Sequence, residues 1–304
     1  MSSLIEGRVR SEAPRMTVSG LSFRYPGARA NVLHDVGFTV ASGQVLGVLG
    51  ANGSGKSTLL NALLDVRSGQ RTGSVVFTDT DRGGVALASQ QISLYQQLTV
   101  LENLWHAART QLPRQLLRAA VEDAVAEYGL GDVARRPVHQ LSGGWQRITH
   151  LATSFVHRPT IRLLDEPTAA LDFEARGRLV ALVESWRRAG ASMLITSHYP
   201  EDIEEIGTHA LVIHNGTVAR HETLADLLAR HNRELIIDVT VDGGPVQVRR
   251  PAPATLADAH ALIEELSRAG HHNGAVHGIR LTDNTLRELL AADPQLKGLL
   301  DDDD

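Results

Sequence analysis

The sequence predicts an α/β fold built on a mainly parallel sheet, and three observations carry that reading. Gln44-Val45-Leu46-Gly47-Val48-Leu49 is a short apolar run that reads as a buried strand. A glycine-rich stretch follows it, and then Leu59-Leu60-Asn61-Ala62-Leu63-Leu64, which reads as a helix. Ile161-Arg162-Leu163-Leu164 is a second short buried strand, closing on Asp165 and Glu166. Parallel sheets gather their ligands at the carboxyl ends of such strands. Between the two, over about 92–158, the pattern turns helical. Thr99 to Ala108 and Pro113 to Tyr128 carry apolar residues at three- and four-residue spacing.

The chain has 304 residues, more than the ~150 typical of one domain, so a large domain with a smaller companion is expected. Apolar residues make up 42% and charged residues 21%, enough for a real core. Thirty basic and thirty-five acidic side chains give a net charge of −5, which argues against a general nucleic-acid binder. The absence of cysteine excludes disulfides, thiolate metal sites and cysteine nucleophiles, and suits a reducing compartment. The charged opening, MSSLIEGRVRSEAPR, is not a signal peptide. The longest uncharged stretch, Val36 to Gly55, is too interrupted by polar residues for a membrane span of ~20 apolar residues. A soluble or peripheral protein is expected.

The glycine-rich stretch is Gly50-Ala51-Asn52-Gly53-Ser54-Gly55-Lys56-Ser57-Thr58. Set between a strand and a helix, this is the pattern of a phosphate-binding P-loop. Glycines let the backbone wrap closely around phosphates with several N–H groups pointing inward, and the helix N-terminus adds partial positive charge. Only Lys56 and Lys297 are lysines among the basic residues. A compact ammonium at 56 reaches β- and γ-phosphates where a planar guanidinium would not fit. Ser57 is placed to ligate Mg²⁺ through its hydroxyl. Asp165, at the end of the second strand, would lie beside this loop and hold Mg²⁺ through water. Glu166 points elsewhere and can polarise an attacking water.

Leu141-Ser142-Gly143-Gly144-Trp145-Gln146-Arg147 narrows the reading. Ser142 caps a helix running to about Val156, and the two glycines let backbone approach an anion at its start. The run resembles the LSGGQ signature of the ATP-binding subunits of ABC transporters. Trp145 stands for the usual glutamine or methionine, Arg147 falls where many members have glutamine, and Thr153 replaces a common arginine. The resemblance covers roughly residues 16–228. It implies a head-to-tail dimer in which Ser142, Gly143 and Gly144 of one subunit close on ATP·Mg²⁺ held by the other. It further implies that Tyr25 stacks on adenine, and that Gln90, with Gln91 as a rival, senses Mg²⁺ and the γ-phosphate. Asp172, in Ala170-Leu171-Asp172, would cross the dimer interface, and His198 would contact the γ-phosphate and the water. Glu166, His198 and Lys56 are then the catalytic set, and Ser57, Gln90 and Asp165 the metal set. Asn52, Gly53, Ser54, Gly55 and Thr58 complete the nucleotide loop. The implied fold adds an antiparallel part near Tyr25 and Phe77. The helical insert (about 92–158) would dock a separate membrane-spanning permease through Leu94, Tyr95 and Leu98. That places the chain peripherally on the cytoplasmic face of the inner membrane, with a second ATP-binding subunit and no nucleic acid as partner.

Residues 1–15 read as a flexible lead-in and 229–304 as a small α+β accessory domain. Leu235 to Val241 and Val246 to Val248 alternate like a hairpin about Asp242-Gly243-Gly244-Pro245. Leu256 to Ala269 reads as an amphipathic helix, Val276 to Leu281 as a strand and Thr285 to Ala291 as a short helix capped by Thr282-Asp283-Asn284. Asp301 to Asp304 reads as a solvated tail. His260, His271, His272 and His277 lack the partner carboxylates of a metal site. Asp283-Asn284-Thr285-Leu286-Arg287-Glu288-Leu289 resembles the tail of ABC-2 type exporters of drugs, antibiotics and peptides, which points to export. An importer ATPase, or a soluble regulatory subunit with little turnover, is the alternative.

Overall fold

Alternation builds the first sheet. β1 (Pro14–Arg24) buries Met16, Val18, Leu21 and Phe23, and β2 (Leu33–Ala41) buries Leu33, Val36, Phe38 and Val40. With β4 (Gln70–Phe77) they form an antiparallel sheet of order β2-β1-β4, the antiparallel part expected near Tyr25 and Phe77. The computed structural model describes residues 14–78, 84–169, 171–230, 234–241, 244–251, 275–282 and 285–292.

The second sheet follows the opposite rule. β3 (Val45–Leu49), β6 (Ile161–Asp165) and β7 (Ser192–Ser197) are buried along their whole length, as strands covered on both faces must be. Its order is β5-β6-β7-β3-β8-β9, with β5 (Val85–Ala88) to β8 (His209–His214) parallel and β9 (Thr217–Thr223) antiparallel at the edge. Side chains alternate between two cores. Val45 and Leu49 face Leu104, Ile148, Leu151 and Trp186, while Leu46 and Val48 face Met16, Phe23, Leu59 and Leu63. The sheet is thus sandwiched between the antiparallel sheet with α1 (Lys56–Leu64) and the helices α2 (Val100–Gln111), α4 (Gly143–Ser154) and α5 (Phe173–Arg188). On β3 a Cβ at Gly47 would lie 2.1 Å from the Ile203 side chain. Helix α6 (Pro200–Ile206) therefore lies directly on the strand.

Several boundaries differ from the sequence reading. Helix α1 begins three residues earlier, at Lys56, directly after Gly55, whose left-handed backbone (φ 108°) turns the chain out of the loop and into the helix. The stretch after Pro113 opens as a 3₁₀ turn, Arg114–Leu116, before α3 (Leu117–Glu127). Helix α4 stops at Ser154, and Arg158 turns left-handed (φ 54°) to enter β6. Strands β2, β5, β8 and β9 have no reading of their own in the sequence.

Helix α7 (Leu224–Arg230) leads to a three-stranded antiparallel sheet of β10 (Glu234–Val241), β11 (Gly244–Pro251) and β12 (Ala275–Thr282), order β11-β10-β12. The hairpin turn is shorter than expected, since Val241 already pairs with Gly244. Helix α8 (Leu286–Ala292) then returns to the large domain. Leu286, Leu289 and Leu290 are buried, the Leu286 N–H donates to Glu204 (3.0 Å), and Arg287 pairs with Glu201 (2.6 Å). The lead-in before residue 14, Ala170, the 256–269 helix, the cap residues Asp283 and Asn284, and the acidic tail lie outside the described residues. Among the described residues no helix is long and apolar enough to cross a membrane.

Candidate nucleotide-binding site

The strand order places three strand ends side by side. In register, Leu49 of β3 pairs with Ser197 of β7, and Thr196 of β7 pairs with Asp165 of β6. The loop after β3 and the acids after β6 therefore meet across β7.

The loop needs its glycines. Gly53 and Gly55 have φ of 77° and 108°. A Cβ on Gly50 would fall 2.4 Å from the Ser54 Oγ and 2.6 Å from the Ile213 carbonyl. Lys56 is buried and donates to the Gly50 and Ala51 carbonyls at 2.6 and 3.1 Å, so its ammonium spans the loop. Burial lowers its pKa, and the nearby Glu166 and Asp165 charges oppose that shift. Helix α1 starts without a side-chain cap, and the Ser54 Oγ is buried with no hydrogen-bond partner. Uncapped amides, an orphan hydroxyl and an ammonium form a donor set that fits a polyphosphate.

Ser57 donates to the Asp165 Oδ1 at 3.0 Å, and Thr196 donates to the same oxygen at 2.7 Å. Two hard oxygen side chains fit Mg²⁺, which keeps several of its waters and takes few protein ligands. Among the described residues no group of three or more His, Cys, Asp or Glu could form another metal cage.

Glu166 leaves the strand in a left-handed conformation (φ 44°), with its N–H donating to the Thr196 hydroxyl at 2.9 Å. That kink turns its carboxylate away from Asp165. Gln90 donates to one oxygen at 3.0 Å, and the His198 Nδ1 lies 3.3 Å from the other. Gln90 thus meets Glu166 rather than Asp165, whereas the Gln91 backbone carbonyl accepts from the Ser89 hydroxyl. Lys56, Ser57, Thr58, Gln90 and Glu166, with Asn52 and Gly53, line one cavity of about 270 Å³.

The remaining predicted residues lie around it. The Tyr25 hydroxyl is 3.0 Å from the Thr58 Oγ1, its ring meets the buried Phe23 edge-on, and it lines a separate cavity of about 420 Å³. Ser142 and Gly143 are exposed and, like Asp172, do not line the phosphate cavity. The signature turn instead packs on the start of α5. A Cβ at Gly144 would lie 2.6 Å from Ala175, whose N–H donates to the capping Asp172 at 2.8 Å. Leu94 and Tyr95 line a cleft of about 640 Å³ with His106 and His150, but Leu98 does not, being held in a turn by Val138.

Three features escaped sequence reasoning. Thr196 bridges both acids. Asp202, buried, accepts from Ser197 (2.8 Å) and Thr168 (2.5 Å) and forms an ion pair with Arg176 (2.9 Å), tying the strand before His198 to the turn after Glu166. Arg147 and His150 of α4 both reach the Ser89 carbonyl at 3.2 Å, next to Gln90. Burial, with Arg147 nearby, pushes the His150 pKa down to about 4. For Asp202, Arg147 and His150 the signal in the sequence is a polar residue on a helix face that should be apolar; Thr196, in a buried strand, carries none.

Comparison with known proteins agrees with this geometry. A family model described as ABC transporter matches residues 33–169. The nickel import ATP-binding protein NikO of Rhodobacter capsulatus is 34% identical over 237 residues, covering 71% of this chain and 92% of that protein. The linearmycin resistance ATP-binding protein LnrL of Bacillus subtilis is 30% identical over 263 residues, 82% of this chain and 84% of its own. A solved ATP-binding subunit of an ABC transporter, 24% identical, shares the fold with a TM-score of 0.61 over 71% of this chain and 92% of its own. Likeness of that extent settles the family: the chain belongs to the ABC transporter ATP-binding proteins, which bind ATP with Mg²⁺ and hydrolyse it.

Proposed function

We infer that this chain powers export of a small compound, such as a drug, antibiotic or peptide, through a separate permease on the cytoplasmic face of the inner membrane. The observation that carries the motor is the Glu166 carboxylate, held by Gln90 with the His198 Nδ1 3.3 Å away, one residue beyond the Ser57–Asp165 pair. Lys56 and the α1 N-terminus hold the β- and γ-phosphates. Ser57 and Asp165 would hold Mg²⁺, which offsets phosphate charge. Glu166 takes the proton of the attacking water while Gln90 and His198 keep it aimed. Tyr25 supports adenine. The exposed Ser142 and Gly143, with Asp172 behind them, serve the nucleotide of a second copy in a head-to-tail homodimer. Residues 16–228 form the motor, with the 92–158 insert gripping the permease at the Leu94–Tyr95 cleft, and 229–304 form an accessory unit.

Export is supported by the 283–289 resemblance and by the reach of the LnrL similarity into the C-terminal region. Import is the second reading, favoured by the higher identity to NikO.

Glu166→Gln is expected to keep ATP affinity, lower phosphate release by about 10²-fold or more, and elute as an ATP-dependent dimer in size-exclusion chromatography with light scattering. Near-normal turnover in that variant would overturn the assigned role.

A further inference from the structure

A second built site lies at the other end of the same strand. Arg162 stands near the start of β6, whereas Asp165 and Glu166 stand at its end. It is 5% exposed, a charged residue in a strand buried on both faces. Its guanidinium lies 4.3 Å from the Trp186 ring and 5.6 Å from Phe155. Its Nε and Nη1 are buried and find no hydrogen-bond partner.

The nearby acids are already engaged. Glu127 accepts from the Trp186 indole at 2.7 Å and faces Arg158 at 3.6 Å, and Asp123 faces Arg158 at 3.3 Å. Stacking offsets only part of the cost of taking a cation out of water, and a buried charge without a bonded partner is destabilising. Arg162 and Trp186 open onto a cleft of about 1240 Å³, walled by Arg158, Pro159, Ala126 and Ala189. That volume suits an organic molecule rather than a bare ion.

We propose that this cleft binds an organic anion, its carboxylate or phosphate group pairing with Arg162 and Arg158 and its apolar body lying on Pro159 and the alanines. A guanidinium presents the fork such oxyanions take. The site lies between the helical insert (α3 and the loop after α4) and the core (β6 and α5), so its occupant bridges the two.

The test is a titration of full-length protein saturated with ADP and Mg²⁺, which keeps the P-loop filled. The readout is the Trp186 indole ¹H–¹⁵N resonance, assigned with Trp186→Phe. Benzoate and phenyl phosphate serve as the carboxylate and phosphate probes. A saturable shift of Trp186, but not of Trp105 or Trp145, is expected with at least one probe. Arg162→Met should weaken it by about tenfold or more, and the exposed Arg158→Gln by several-fold. No saturable shift with either probe up to about 20 mM, or an unchanged midpoint in Arg162→Met, overturns the proposal. Should Arg162→Met fail to fold, an unchanged midpoint in Arg158→Gln overturns it.

Discussion

One backbone angle separates two carboxylates that are neighbours in sequence. Asp165 ends its strand toward Ser57, and Glu166, at φ 44°, turns to Gln90 and His198. A non-glycine residue in that region is strained, and here the Thr196 hydroxyl anchors its amide. The acid pair could be read from its place after an apolar run. The kink could not, because nothing in Asp-Glu-Pro states which way the chain bends. Likewise Lys56 was legible from the loop pattern, while Asp202 was hidden among ordinary helix acids until folding brought Thr168 and Arg176 to it. His150 makes a further point testable by pH. Its folded pKa, about 4, lies below the ordinary value of 6.5, so the folded state holds it neutral. The associated stability is present above pH 6.5 and is lost as pH falls toward 4. Between pH 7.5 and 5 the loss should be about 2 kcal/mol, and His150→Gln should remove it. Urea unfolding of both proteins at the two pH values measures the difference.

At the scale of elements, α4 joins two functions. Its first residues carry the signature turn, and its middle holds the carbonyl before Gln90 through Arg147 and His150. The Ser142 cap on this helix is long, 3.5 Å to the Trp145 N–H, and weak by that measure. Ser142→Ala should therefore cost less than about 0.5 kcal/mol of stability. Turnover should nonetheless fall by about tenfold or more if the hydroxyl serves a second copy's phosphate. Thermal denaturation and phosphate release, measured side by side, separate the two effects. Elements with continuous apolar runs, such as β3 and β6, were legible, as was the alternating β10–β11 hairpin. Strand β2 was not, because its buried Leu33, Val36, Phe38 and Val40 are spaced by polar and glycine residues in a stretch that also reads as a loop. Strand β8 escaped because its apolar run, Ala210 to Ile213, is only four residues long, and β9 because Arg220, His221 and Glu222 leave it no apolar pattern.

Over the whole molecule, two sheets and two cores meet at β3, and the chain's last described helix closes the outer face of α6. Leu286 is fully buried there, 82 residues beyond its partner Glu204. Leu286→Ala should cost about 2–3 kcal/mol, felt as lost hydrogen-exchange protection in α8 before the core strands loosen. The same separation has a consequence for biosynthesis. A ribosome delivers the motor, P-loop and switch histidine included, long before the residues that cover α6. The nascent chain therefore carries a bare leucine seat through that interval, and a chaperone that recognises greasy surface has its best opportunity just before α8 emerges.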